Sequence, residues 1–291
     1  MRYDRFLIGL ALTAACPAFA QDAALTAKER AVQAATARPA TWAARAQEFR
    51  KWLANATDDQ GKPLSAAARK GHISDQVHTL DKELARAASI APAATAQAIL
   101  GDKCLAKWLG VDCQVPLSGT LRDADGTRIL WQLQSGASEE DGLGMGAMLW
   151  DASGTGEPRL IGWTFEGVYM EAPRYNPELQ LLWVSGRMMG TGDGNADILY
   201  QRRDGKWIEI ELESWRADLE KRLPKGLGAW KGVDYDLTSL SAATELWKDS
   251  DANCCATGGR ATMDFEIEGS SLKLKTISAQ IGGPDTAWKE Y

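Results

Sequence analysis

The pattern of hydrophobic and polar positions changes near residue 115. Before it, segments rich in Ala carry Arg, Gln, Glu and Lys between apolar residues at a helical period, which predicts helices. The predicted helices cover residues 23–37, 40–54, 65–88 and 92–109. One buried stripe is predicted on the second helix, formed by Trp42, Phe49, Trp52 and Leu53.

After residue 115, short alternating runs are separated by Gly, Asp and Pro, which predicts strands and turns. The predicted strands cover residues 117–121, 128–134, 144–150, 159–165, 179–184, 196–201, 207–212, 232–237, 244–247, 261–267 and 272–277. Hairpin turns are predicted at Asp125-Gly126, Asp204-Gly205 and Gly269-Ser270. A single helix at 215–222 interrupts the strands and ends before Pro224.

These elements predict an α+β protein in two parts. An N-terminal helical region, residues 21–114, precedes an antiparallel β-rich domain, residues 115–291. Strands at this spacing are typical of a sandwich, a barrel or a small propeller-like arrangement.

The first 20 residues have the pattern of an export signal. Arg2 and Arg5 precede the short apolar run 6–15, and Ala18-Phe19-Ala20 is a small-x-small cleavage site. We expect cleavage after Ala20 and a periplasmic or secreted mature protein. Lipidation at Cys16 is the alternative, although Thr13 stands where a lipobox normally has Leu.

Composition excludes several classes of partner and of chemistry. The formal net charge is −6 and the pI about 5.2, which argues against nucleic acid, because phosphates need a basic surface. Two His in 291 residues exclude most His-based catalysis. No stretch after the signal is long and apolar enough to span a membrane, so we expect no transmembrane segment after cleavage.

Four cysteines follow the signal, an even number that predicts disulfides in an exported chain. We favour the local pairs, Cys104 with Cys113 and Cys254 with Cys255. The alternative pairs the 104–113 region with the 254–255 region. The adjacent Cys254 and Cys255 do not have the spacing of a zinc site, and no metal or cofactor is predicted there.

Two groups of carboxylates have possible chemical roles. Glu209, Glu211 and Glu213 alternate with apolar residues, which predicts that they line the solvated face of one strand. Oxygen side chains at alternate positions predict a weak calcium candidate, formed by Asp193, Asn195 and Asp197. Ile198 replaces the Gly of a calcium loop, so a polar turn is the favoured interpretation and no cofactor is predicted.

The 12 tryptophans are the unusual feature of the composition. Most are expected to fill the β core, since aromatic residues dominate core burial. Trp230 and Trp247 lie next to predicted loops and are expected to be exposed, where they can bind a ligand or partner. The Cys254–Cys255 loop is expected to present Asn253, Thr257 and Arg260 on the same surface.

The segment Asn253-Cys-Cys-Ala-Thr-Gly-Gly259 resembles a Cys-Cys-x-Thr-Gly-Gly turn of uncharacterised exported bacterial β-rich proteins. Residues 190–197 and 223–232 are also similar to that group, so the resemblance covers roughly residues 185–275. It departs at Ala256, where Pro is more usual. The resemblance implies export and a β fold, and it implies no reaction.

Three function classes remain. The first is an exported, non-enzymatic binding protein, such as an inhibitor or immunity-type protein with a periplasmic protein partner. The second is a module that binds carbohydrate or peptidoglycan through exposed Trp. The third is a glycan hydrolase, which requires two carboxylates in one cleft, one of them with a pKa raised by burial. We favour a protein that is not an enzyme, because the sequence contains no catalytic set.

Overall fold

A computed structural model describes residues 17–110, 112–123, 125–138, 142–190, 194–252 and 254–291. The predicted signal residues 1–16, with Cys16, lie outside the described residues, as do Asp193 and Asn253. The fold is α+β, as predicted, with helices concentrated in the N-terminal part and antiparallel sheets after them.

The N-terminal part contains three long helices that pack together. The helices of the described chain are α1 (Pro17–Ala35), α2 (Pro39–Asn55), α3 (Ala66–Ser89), α4 (Ala96–Ile99), a 3-10 helix (Lys107–Leu109) and α5 (Arg216–Arg222). Leu25, Val32, Trp42 and Leu80 form the centre of the three-helix cluster. The Ser65 hydroxyl caps α3 by accepting the Ala68 N–H at 3.2 Å. No helix of the described residues combines the length and the apolar character needed to cross a membrane.

Two helical predictions are wrong. Residues 92–109 form only α4 and the short 3-10 helix, because the chain between them is held to the sheet by buried side chains and a cysteine pair. Trp52 is 46% exposed rather than buried, while Trp42 and Leu53 are buried as predicted. Trp52 therefore lies at the solvent-exposed edge of the predicted stripe. Its ring contacts that of His72 edge-on, with 4.9 Å between the ring centres.

The strands follow in chain order and pair antiparallel. They are β1 (Gln114–Arg122), β2 (Arg128–Ser138), β3 (Gly142–Asp151), β4 (Arg159–Gly167), β5 (Tyr169–Met170), β6 (Arg174–Asn176), β7 (Leu181–Val184), β8 (Gly186–Arg187), β9 (Ile198–Arg203), β10 (Lys206–Ile210), β11 (Leu227–Gly228), β12 (Asp234–Asp236), β13 (Ser241–Lys248), β14 (Gly259–Glu268), β15 (Ser271–Ile281) and β16 (Lys289–Glu290).

Three successive sheets stack face to face. The first has the order β1-β2-β3-β4, the second β10-β9-β7-β6, and the third β11-β13-β14-β15-β16 with β12 also on β13. Leu182 and Val184 of the second sheet pack on the first, whereas Leu181 and Trp183 pack on the third. Alternate residues of β7 thus fill two cores, as the period of a strand requires.

The helical region covers the other face of the first sheet, through a core that includes Ile90, Ile99, Leu130, Trp150 and Trp163. The three predicted hairpin turns connect paired strands. Asp204 and Gly205 have φ of 50° and 73°, the left-handed conformation that a tight two-residue hairpin needs.

The cysteine sulfurs lie at disulfide distance in the two local pairs. The Cα atoms of Cys104 and Cys113 are 6.1 Å apart, and those of the adjacent Cys254 and Cys255 are 3.8 Å apart. The first pair closes the segment that follows α4, and the second lies in the connection between β13 and β14. Such pairs are consistent with an oxidising compartment.

Candidate functional site

Glu209 and Glu211 are buried, which overturns the prediction that Glu209, Glu211 and Glu213 line a solvated strand face. The N-terminus of α2 covers this face of β10. Glu209 Oε2 accepts the backbone N–H groups of Ala40 and Thr41 at 2.8 and 3.2 Å, and its Oε1 accepts the Thr41 hydroxyl at 2.6 Å. Of the three carboxylates, only Glu213 is half-exposed.

A guanidinium connects Glu209 to a second carboxylate. Arg38 Nε lies 3.3 Å from Glu209 Oε1, and its Nη1 lies 3.2 Å from Glu166 Oε2. Arg45 holds both oxygens of Glu166, at 2.7 and 2.8 Å. Burial raises the pKa of Glu209, and the charge of Arg38 opposes this shift.

The cluster of Arg38, Thr41, Glu166 and Glu209 therefore resembles the hydrolase requirement in one respect, a carboxyl whose pKa is raised by burial beside a second carboxyl. Its geometry differs, because both oxygens of Glu209 accept bonds from the start of α2. Arg38, the residue before that helix, has no side-chain cap bond. Glu209 supplies the cap from the sheet, so the cluster fastens the N-terminal helices to the β-sheets.

We expect Glu166→Gln to lower the free energy of unfolding at pH 7 by about 1–3 kcal/mol, the cost of leaving partly buried charged partners unpaired. Burial alone raises the pKa of Glu166, yet Arg38 and Arg45 hold it well below its ordinary value of 4.5. Its stabilisation is therefore present above that value and is lost as the pH falls toward the folded-state pKa. Urea unfolding at pH 7 and pH 3 should show the difference between wild type and variant narrowing; a difference that widened in acid would contradict this.

Two residues of the calcium candidate, Asn195 and Asp197, are described, and the side chains of both form hydrogen bonds with other protein groups. Asp197 accepts the Trp183 indole N–H at 2.9 Å and the Asn195 amide at 2.8 Å. Asn195 also pairs with the backbone of Val233 through both its oxygen and its nitrogen. Burial raises the pKa of Asp197, which disfavours its charged form. Within the described ranges, no group of three His, Cys, Asp or Glu side chains could hold a metal.

The two tryptophans predicted to be exposed differ. Trp230 is 48% exposed, whereas Trp247 is only 4% exposed, so the second prediction is wrong. Trp247 lies inside β13 opposite Gly228 of β11, with Lys231 Nζ 5.9 Å from its ring centre. The prediction failed because Trp247 belongs to strand β13, which buries its ring, although a loop follows it in the sequence.

Trp230 forms one wall of a groove of about 340 Å³ beside the third sheet. It lies between β11 and β12, where the edge of this sheet is interrupted. The groove is lined by Arg216, Leu219, Glu220, Leu223, Pro224, Lys225, Gly226, Leu227, Gly228, Ala229, Trp230 and Asp249. The indole lies against Gly228, where a Cβ would come within 2.8 Å of Nε1, so a larger residue there would displace the ring.

Arg216 of α5 fixes the backbone on both sides of Trp230. Its guanidinium donates to the carbonyl oxygens of Ala229 and Lys231 and lies 4.8 Å from the ring centre of Trp215. The backbone of two other lining residues is also fixed, since the Asp249 N–H donates to the Gly226 carbonyl at 3.2 Å. The groove is thus preformed, which lowers the entropy cost of binding.

Three of the four charged side chains that line the groove are available to a ligand, whereas the fourth, Arg216, binds the backbone and Glu213. Among the described residues, no partner forms an ion pair or hydrogen bond with the side chains of Glu220, Lys225 or Asp249. The groove therefore combines a flat apolar ring with two carboxylate acceptors and one ammonium donor. This combination suits a ligand that has apolar ring faces and many hydroxyl groups.

The two described residues that remain of the predicted surface, Thr257 and Arg260, do not line the groove. Thr257 donates its N–H and its hydroxyl to Asp251, so it holds the Cys254–Cys255 connection in place. Arg260 donates to Gln280 at 2.8 Å and lies 5.5 Å from the ring centre of Trp288. Asn253 lies outside the described residues.

Sequence reasoning found Trp230 but missed Arg216, Glu220, Lys225 and Asp249. The segment Pro224-Lys-Gly-Leu-Gly-Ala-Trp230 contained a signal for this groove. Gly and Pro just before an isolated Trp predict a loop backbone that is shaped around the indole ring. The contribution of Asp249 depends on pairing between β11 and β13, which local patterns do not contain.

No protein-family model, curated protein or solved structure matches this chain.

Proposed function

We propose that this protein is an exported binding protein that takes a glycan in the Trp230 groove. The observation that carries the proposal is the half-exposed indole of Trp230, held on both sides by Arg216 and bordered by Glu220, Lys225 and Asp249. An indole face can stack on the C–H face of a sugar ring, while carboxylates and an ammonium bind its hydroxyl groups.

Export remains part of the proposal. It is supported by the basic, apolar and small-residue pattern of residues 1–20 and by cysteines paired at disulfide distance. An exported glycan-binding protein would meet peptidoglycan or other cell-surface glycans, so these are the first ligands to test. The resemblance to exported β-rich proteins points to the same compartment.

We expect the oxidised protein, residues 21–291, to sediment with purified peptidoglycan and to bind soluble N-acetylglucosamine oligosaccharides in calorimetry. Trp230→Ala should weaken this binding by about tenfold or more, the effect of removing an aromatic anchor. Trp52→Ala and Trp288→Ala are matched controls, because these rings are 46% and 44% exposed away from the groove.

The controls should bind as the wild type does, and circular dichroism should show all three variants folded. Wild-type protein that binds none of these glycans would overturn the proposal. So would a Trp230→Ala variant with unchanged affinity, since the ring would then lie outside the binding site.

A protein partner is the second candidate function, and an exposed apolar patch favours it. The patch lies on and beside the two-stranded sheet of β5 and β8 and consists of Val168, Tyr169, Met188 and Met189. Met and aromatic side chains are enriched at protein interfaces. Binding through this patch would be insensitive to Trp230→Ala, which separates the two candidates.

A further inference from the structure

A second cavity, of about 140 Å³, lies between the end of α3 and the outer face of the first sheet. Met148 and Trp150 of β3 form its floor, and both are buried. Ile90 and Leu105 contribute to its walls, and the exposed Lys107 belongs to its rim. The interior is thus apolar with a cation at the edge.

The loop that contains Leu105 is held in place by two buried side chains of β2. Gln132 and Gln134 of β2 are fully buried, an unusual environment for amides. Gln132 donates to two backbone carbonyl oxygens of the loop after α4, at 3.1 and 3.3 Å. Gln134 accepts the Ala106 N–H at 3.0 Å. The pairing of Cys104 with Cys113 closes the same loop, so the cavity is built before a ligand arrives.

Two residues that line this cavity carry a polar group without a protein partner among the described residues. The indole N–H of Trp150 is buried without a hydrogen-bond acceptor, and buried donors are almost always paired. No carboxylate of the described chain lies within ion-pair distance of Lys107. Trp150 Nε1 itself is inaccessible, so the polar group that the site offers to a ligand is the ammonium of the exposed Lys107 at the rim.

We propose that this cavity binds a small carboxylic acid with a ring-sized apolar body. The volume matches the apolar cavity of about 150 Å³ that accepts benzene in another protein. The apolar body would lie on Met148 and Trp150, and the carboxylate would meet Lys107 at the rim. The site is separate from the Trp230 groove and does not depend on glycan binding.

Benzoate is the probe, and calorimetry or saturation-transfer NMR with the oxidised protein is the measurement. We expect weak, saturable binding with a Kd of roughly 1 mM, in the range for a ligand of nine heavy atoms. Ala94→Leu fills the cavity from its wall and should abolish binding without lowering the melting temperature. Ala88→Leu, an exposed position on α3 outside the cavity, is the matched control.

Lys107→Gln tests the charge. It should weaken benzoate binding roughly two- to fivefold, as for an exposed ion pair, and leave the binding of neutral benzyl alcohol unchanged. The proposal is overturned if benzoate shows no saturable binding, or if Ala94→Leu binds as the wild type does. An equal loss for both ligands in Lys107→Gln would overturn the assignment to a carboxylic acid.

Discussion

Replacing Glu209 with glutamine is expected to lower the free energy of unfolding by about 3–5 kcal/mol, the cost of breaking a buried ion pair by removing one partner. Glutamine has nearly the same shape but only one acceptor oxygen. Glu209 uses both oxygens for the donors of Ala40, Thr41 and Arg38, so the amide nitrogen must face one of these donors. Chemical unfolding followed by tryptophan fluorescence and far-ultraviolet circular dichroism measures the effect.

The matched control for this variant is Glu213→Gln, in the segment that follows β10. Glu213 is half-exposed and pairs with Arg216 three residues later, so its loss should cost at most about 1 kcal/mol. We also expect Glu209→Gln to lose helical signal before the sheet unfolds, because the cap of α2 fails first. Equal, small effects of the two variants would show that Glu209 does not fasten α2 to the sheet.

The parts of the fold that sequence predicts are those that local interactions determine. Asp204-Gly205 forms a hairpin because few other residues tolerate φ near 50° and 73° together. Ser65 begins α3 because its own hydroxyl accepts a backbone N–H of the first turn. In each case the cause and its effect lie within a few residues, so a pattern can contain both.

The errors share a different cause, which is contact between distant segments. Glu209 is buried because α2, almost 170 residues earlier, places its N-terminus on β10. Residues 92–109 fail to form one helix because buried glutamines of β2 bind the loop backbone. An alternating strand shows which residues share a face, but it does not show what covers that face.

In the candidate site, too, some residues can be predicted from the local sequence and others only from the tertiary structure. Trp230 stands out in the sequence because Gly and Pro accompany it and no strand pattern includes it. Arg216 is a helix residue like many others until the fold places its guanidinium beside Ala229 and Lys231. The local sequence thus indicated the ring, whereas the tertiary structure placed Arg216 and the charged groups around it.

Gly162→Ala is expected to lower the free energy of unfolding by about 2–4 kcal/mol, combining overpacking with a lost buried hydrogen bond. A Cβ at Gly162 of β4 would overlap the hydroxyl of Tyr200. That hydroxyl donates to the carbonyl of Ala37 at 3.2 Å, just before α2, and the ring is buried between the first two sheets. The ring must therefore move, and the contact between sheet and helix is lost. Urea unfolding measures the change.

A double-mutant cycle identifies the source of that cost. In a Tyr200→Leu background the overlap is absent, so the added alanine should cost at least about 1 kcal/mol less than in the wild type. Gly154→Ala is the control, because no atom lies within 4 Å of a Cβ at this exposed position. Equal costs of alanine at Gly162 in both backgrounds would rule out the overlap with Tyr200. A smaller cost in the leucine background would instead make Gly162 the residue that lets Tyr200 connect both sheets to the helical region.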